Sequence, residues 1–347
     1  MRSRFQTSLT ALLLALIGGT SLTLADPGDD PAANDSTETE ATRTGDPAQV
    51  NLDETFVTAT RTPTRGFESP FTQHLIDSEQ LFRRQYRTIP ESLRHVPGVM
   101  VQKTAFGHGS PYIRGFTSFR NLFLIDGIRL NGPHFRPGPN QYWNTVDPFS
   151  IDRLELVKGP SSVMWGSDGI GGTVNAITRR PLAWTGEPSF QATSLLRLSS
   201  AEESIIGRQQ FAGTFDEKLS FIGGVTGKTF GDLHTGGPVQ EGTGYDEWAG
   251  DFKFEFRVNP NVRVTAAHYQ VRQNNVPRTH KPTDGESFEG TSVGDERQRE
   301  LDQERDLTYV QIVGEDLDGP IEAYRASLSW QVQEEVRDRI KSSGSRS

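Results

Sequence analysis

The segment Gly159 to Thr178, GPSSVMWGSDGIGGTVNAIT, sets five glycines between the hydrophobic run Ile151 to Val157 and a second apolar stretch ending at Ile177. Such a cluster can cradle a phosphate when a strand precedes it, a helix follows it and the glycines fall at positions one, three and six. Gly169 and Gly171 supply two of these positions, but Val174 occupies the third. The residues that follow, TVNAIT, are β-branched and alternating, which predicts a strand. A phosphate site therefore fails on its context. Histidines at 108, 134 and 280 could serve a haem ligand, yet no Asp/His/Ser triad or carboxylate pair accompanies them. With no cysteine in the chain, thiolate metal sites and disulfides are excluded. Catalytic residues, a resident metal and a cofactor are not expected.

The elements that must position these residues begin with export. Arg2 and Arg4 precede an apolar core from Leu9 to Ile17, and Thr23 and Ala25 stand where a signal peptidase reads. This pattern predicts a signal peptide over 1–25, since the apolar run is shorter than the roughly 20 residues of a spanning helix. Residues 26–52 contain seven acids and one arginine and read as a disordered tether. The net charge of -9 and pI near 5.4 argue against nucleic-acid binding. No later apolar stretch is long enough for a spanning helix, so a membrane passage would require a closed β-barrel.

Phe56, Val57 and Thr58 form a short extended patch that suits either pairing with another protein's sheet edge or the first strand of the next domain. Residues from about 66 to 180 read as an α/β unit. SEQLFRRQ and TIPESLRHV are helical, the second with Thr88 as N-cap, Pro90 in the first turn and Glu91 three residues after the cap. GVMVQK, PYIRGF, NLFLIDGIRLN and IDRLELVKG read as strands.

After Pro181 the period becomes two. In EWAGDFKFEFRVN, Trp248, Phe252, Phe254, Phe256 and Val258 alternate with Asp251, Lys253, Glu255 and Arg257. Seven strands are expected, near 188–198, 204–215, 219–229, 246–258, 262–272, 306–315 and 321–333. Short turns between them alternate with generally longer connections, including a loop of about thirty residues over 273–305, as in an outer-membrane barrel.

Several stretches in order resemble the TonB-dependent outer-membrane receptors: ETFVTATR, IPESLRHVPGVMVQ, IRGF, LFLIDGIRLNG and IDRLELVKGPSSVMWGSDGIGGTVNAIT. The resemblance covers about 53–180 closely and the later strands loosely. It implies an α+β plug domain over 61–180, with a small mixed sheet and short helices. An incomplete antiparallel transmembrane β-barrel follows over 181–347. It also implies a TonB box over 53–60 in which Glu54, Thr55, Phe56, Val57 and Thr58 bind TonB. The glycine-rich segment becomes a structural turn, with Gly115, Gly127, Gly159, Gly166, Gly169, Gly171 and Gly172 permitting positive φ or close approach. Arg114 and Lys158 are implied to pair with carboxylates of the inner wall. Lys158 stands where arginine is frequent, which loses a bidentate fork.

The resemblance turns two plug loops outward. These loops and their surroundings supply the expected ligand contacts: Phe106, His108, Arg120, His134, Phe135, Arg136, Tyr142 and Trp143, groups suited to stacking on a flat or anionic ligand. The expected activity is TonB-driven uptake of a ferric siderophore or haem across the outer membrane, with cobalamin or a glycan as alternative cargo. A periplasmic plug-like module that binds TonB or relays a signal is the alternative from another class. Barrels of such transporters have about 22 strands, so the chain reads as an N-terminal fragment.

Overall fold

The computed structural model describes residues 55–342 except 62–63, 85, 185, 235–238 and 280–293. The expected signal peptide and tether, together with Glu54 and His280, lie outside the described residues.

A short hairpin, β1 (Thr55–Phe56) with β2 (Thr64–Arg65), opens the described chain. It is followed by β3 (Thr72–Asp77), α1 (Ser78–Arg83), α2 (Ile89–Ser92), β4 (Val99–Ala105), β5 (His108–Ile113), β6 (Asn121–Ile125), β7 (Ile128–Arg129), β8 (Ile151–Lys158), α3 (Ser162–Trp165) and β9 (Gly172–Thr178). One mixed sheet runs β3-β8-β9-β6-β7, with β6 parallel to β9 and the other pairs antiparallel; β4 and β5 form a separate hairpin. The turn Asp126-Gly127 splits the expected strand NLFLIDGIRLN into β6 and β7. β3 is an element that the sequence reading did not include.

Local chemistry explains the helix starts. Asp77 caps α1 by accepting the Gln80 amide at 2.7 Å. α2 has Thr88 as N-cap and Pro90 in its first turn, but the Thr88 hydroxyl makes no cap bond. Glu91 instead accepts the amide of Arg87, one residue earlier than a capping box requires. The core gathers Leu93, Ile113, Phe123, Leu154, Leu156 and Val174. Leu154 and Leu156 face it, so the alternation of β8 turns Glu155 to the opposite face of the sheet.

The remaining strands form one antiparallel sheet in chain order: β10 (Ser189–Ser199), β11 (Ser204–Thr214), β12 (Leu219–Phe230), β13 (Tyr245–Asn259), β14 (Val262–Pro277), β15 (Glu296–Gly314) and β16 (Tyr324–Lys341). The seven expected strands are present. The loop expected over 273–305 is shorter, because β14 and β15 pair as far as Pro277 with Glu300 and leave only 278–295 as a connection. The strand ends at Ser199 and Ser204, Phe230 and Tyr245, and Pro277 and Glu296 lie at one end of the sheet, and those at Thr214 and Leu219, Asn259 and Val262, and Gly314 and Tyr324 at the other. In β13 the phenylalanines at 252, 254 and 256 are exposed, while Lys253 and Glu255 are buried toward the plug. A sheet with charges inside and aromatics outside has the polarity of a barrel wall, opposite to that of a sandwich. The fold is an α+β plug beside an unclosed antiparallel wall.

Candidate functional site: a plug clamped to a strand wall

The glycine-rich segment is the turn from β8 through α3 to β9. Gly159 has φ +110°, and a side chain there would meet the Arg114 guanidinium at 2.9 Å. Gly171 approaches the Ile113 carbonyl so closely that a Cβ would lie 2.7 Å from its oxygen. Positive φ is also found at Gly115, Gly127 and Gly166, whereas Gly169 and Gly172, like Gly171, are sites of close approach. The segment closes a sheet.

Two carboxylates, Asp147 buried and Asp126 largely so, fasten the plug to the wall. Asp147, in the loop before β8, accepts Lys228 Nζ at 2.9 Å and the Thr226 hydroxyl at 2.7 Å, with Arg208 at 3.7 Å. Lys228 is wholly buried and also reaches Glu247 at 2.5 Å, while Arg208 grips Asp251 through two bonds. Asp126, at the β6–β7 turn, receives Tyr309 Oη at 2.6 Å, the Thr178 hydroxyl at 2.6 Å and Lys253 Nζ at 3.3 Å. Burial alone would raise both carboxyls. The facing ammonium groups and hydrogen bonds outweigh it, and both lie below the ordinary aspartate value.

This clamp has acids on the plug and cations on the wall, the reverse of the expected polarity. Arg114 is exposed, and Lys158 donates to the Pro97 carbonyl at 2.9 Å and lies 3.1 Å from His74 Nε2. Burial, then the neighbouring Arg114, depresses the Lys158 ammonium. Among the described residues neither cation has a carboxylate within salt-bridge distance. Sequence reasoning missed Asp126 and Asp147 because it looked for plug cations; the signal available was Arg208, Lys228 and Lys253 at inward positions of alternating strands.

The outward loops are also rearranged. Phe135, Tyr142 and Trp143 belong to the plug core, with Phe135 stacked on Tyr142 at 4.7 Å and Trp143 against Phe123. The buried Arg305 of β15 pulls this loop inward, donating to Thr145 Oγ1 at 2.7 Å and the Tyr142 carbonyl at 3.2 Å. Phe106 packs edge-on against Phe230 and Tyr245 of the wall. His108 is 1% exposed, with neither ring nitrogen bonded among the described residues; burial, then the fields of Arg278, Arg136 and Arg299, holds it neutral with a pKa lowered to about 3. Of these five expected contacts, the rings of Phe106, Phe135, Tyr142 and Trp143 are buried in packing, where apolar surface gains most, and His108 is buried as well. Arg120 and His134 are exposed and Arg136 half-buried. His134 bonds Gln333 at 2.8 Å and Arg136 donates to Gln141 at 2.6 Å.

At the start of the described chain, Phe56 and Thr58 are buried against the plug, and Trp165 Nε1 donates to the Thr58 carbonyl at 2.7 Å. The patch is thus neither free nor a strand of the main sheet.

Residues 65–173 match the family described as TonB-dependent Receptor Plug Domain. The chain is 35% identical over 141 residues to an iron-regulated outer membrane virulence protein of Vibrio cholerae, covering 39% of this chain and 21% of that one. It is also 35% identical over 133 residues to the vitamin B12 transporter BtuB of Vibrio vulnificus, covering 36% and 20%. The chain spans about a fifth of the length of these curated relatives. The ferripyoverdine receptor of the Pseudomonas aeruginosa outer membrane shares the fold at TM-score 0.63 and 16% identity, over 83% of this chain and 37% of that one. The copper transporter OprC does so at TM-score 0.62 and 17% identity, over 77% and 38%. Residues 65–173 thus carry the plug domain of TonB-dependent receptors, and the plug with the wall strands after it has the fold of the outer-membrane receptors of known structure.

Proposed function

We propose that the chain is the plug and adjoining wall of an outer-membrane transporter that takes up a ferric siderophore or haem and is driven by TonB. The observation that carries this reading is the plug clamped by Asp126 and Asp147 to a wall whose outer face is aromatic and whose inner face is charged. Such a wall suits lipid on one side and a removable stopper on the other. In a closed barrel, Arg114 and Lys158 would take wall carboxylates of their own. Arg120, His134 and Arg136, the expected contacts that keep some exposure, are proposed to meet the ligand. Thr55, Phe56, Val57 and Thr58, with Glu54, are proposed to pair with TonB.

Cobalamin is the second reading for the cargo, since vitamin B12 transporters stand beside the iron-regulated protein at equal identity. Binding isotherms of the full-length receptor with ferric siderophores, haem and cyanocobalamin, paired with uptake in cells with and without TonB, test both. Uptake that persists without TonB would reject the energy source. Binding of cobalamin alone would replace iron as cargo.

A further inference from the structure

The cations buried on the inner face of the wall are covered by the plug. Lys228 holds Asp147, and Lys253 holds Asp126 and the Thr178 hydroxyl. Arg305 has no such carboxylate. It is buried, its Nη1 has no hydrogen-bond partner, and among the described residues no acid lies within salt-bridge distance of it. Its bonds run to two plug atoms, Thr145 Oγ1 and the Tyr142 carbonyl, and to Gln333 Oε1 of β16 at 2.7 Å. A buried cation supported only by neutral acceptors is costly, and an apolar residue would fill the same place at less cost.

Strand register sorts the inward charges by height. Arg305 lies level with Val271, Ala249, Thr226 and Arg208; Lys253 stands four residues beyond Ala249 on β13, and Arg257 four beyond that, level with Arg263, Val313 and Arg325. At about 3.4 Å per residue, successive levels are roughly 14 Å apart along the strand. Over this span the inward cations of the described strands are Arg208, Arg305, Lys253, Arg257, Arg263 and Arg325, whereas the inward carboxylates are Asp251 and Glu255. Asp251 is already gripped by Arg208. The seated plug brings Asp126 and Asp147 to this face, and a plug that moves takes them away.

We propose that the inner face of the wall is a cationic path for an anionic cargo, covered while the plug is seated, and that Arg305 is a specificity-determining residue near its outer end, the end with the longer connections. The inference rests on the reading of the plug as a removable stopper. Lysines and arginines that line a pore select anions, and several sites of moderate strength let the ion leave each one in turn. Arg305 suits the entry step, because once Tyr142 and Thr145 move off, its planar fork of donors is free for a carboxylate or a similar group. A neutral cargo gains nothing from it.

The test uses the full-length receptor in a planar bilayer, with urea to loosen the plug and a potassium chloride gradient to read the chloride-to-potassium permeability ratio. Loss of amide protection at Phe123 and Val174 reports that the plug has loosened. The parent should then favour chloride, and Arg305→Gln with Lys253→Gln should lower the ratio roughly 2- to 5-fold, while Arg305→Lys keeps it. Arg257→Gln, at a position with no carboxylate partner among the described residues, should lower the ratio as well and serves if the buried variants fail to assemble. A parent that passes potassium as readily as chloride overturns the path and leaves the stopper reading standing, as does a ratio that Arg257→Gln and the double change both leave unmoved. No conductance after plug protection is lost overturns the stopper reading and the path with it.

Discussion

At the residue scale, the aromatic loop and His108 change what substitutions are expected to do. Phe135 is buried in a stack with Tyr142, so Phe135→Ala should destabilise the plug by about 3–5 kcal/mol and lower the amount of receptor in the membrane. Arg136→Ala should leave abundance unchanged and weaken binding of an anionic ligand by about 1–3 kcal/mol. Quantifying receptor abundance beside a binding isotherm separates the two, and equal losses of abundance would refute the distinction. His108 titrates in the opposite sense from a salt-bridged histidine. Its folded pKa of about 3 lies below the unfolded value of 6.5, so the unfolded state binds the extra proton between them. Its contribution is complete above pH 6.5 and declines as pH falls toward 3, by up to about 5 kcal/mol. Amide exchange in the β4–β5 hairpin, corrected for intrinsic rates, should accelerate across that window and flatten in His108→Gln.

Among elements, β13 shows how an alternating strand serves two media. Its charged positions reach the plug, with Lys253 on Asp126, and its phenylalanines stay on the far face. The loop before β8 is fastened to β12 in the same way through Asp147 and Lys228. Asp147→Asn should cost about 3–5 kcal/mol, because Lys228 is left buried with reduced compensation. The double change Asp147→Asn with Lys228→Met should cost less than the sum of the two single changes, although it leaves Glu247 without its ammonium partner. Urea midpoints of the parent, single and double variants in detergent test this, and additive losses would show that the pair is not coupled. The folded pKa values of Asp126 and Asp147 are depressed, so their stabilisation is fully present above about pH 4 and fades as acid protonates them.

On the scale of the whole molecule, the wall has two unpaired edges among the described residues, β10 and β16. Backbone groups left unpaired in lipid cost several kcal/mol each, so this chain expressed alone should aggregate and give no heat-modifiable outer-membrane band. Such a band would mean that the edges are closed by assembly with other copies. In hydrogen exchange, outer-edge amides of β16 should exchange fastest and those of β13, paired on both sides, slowest.

Periodicity of two and turn residues were enough to read the seven strands from sequence, because these depend on near-neighbour chemistry, while the plug and the turn role of the Gly159 to Gly172 segment came from the ordered motifs and the resemblance they carry. β3 escaped because its pairing with β8 joins Thr72 to Lys158, a contact that no local pattern announces. The inward fold of Phe135, Tyr142 and Trp143 escaped for the same reason, since Arg305 draws that loop from the wall. The reversed polarity of the clamp and the burial of Phe56 and Thr58 against the plug were likewise decided by tertiary structure. Sequence states which charges and donors a chain carries; which of them meet in a buried place is settled only when distant segments pack, and there the cost of burying an unpaired charge selects the partner.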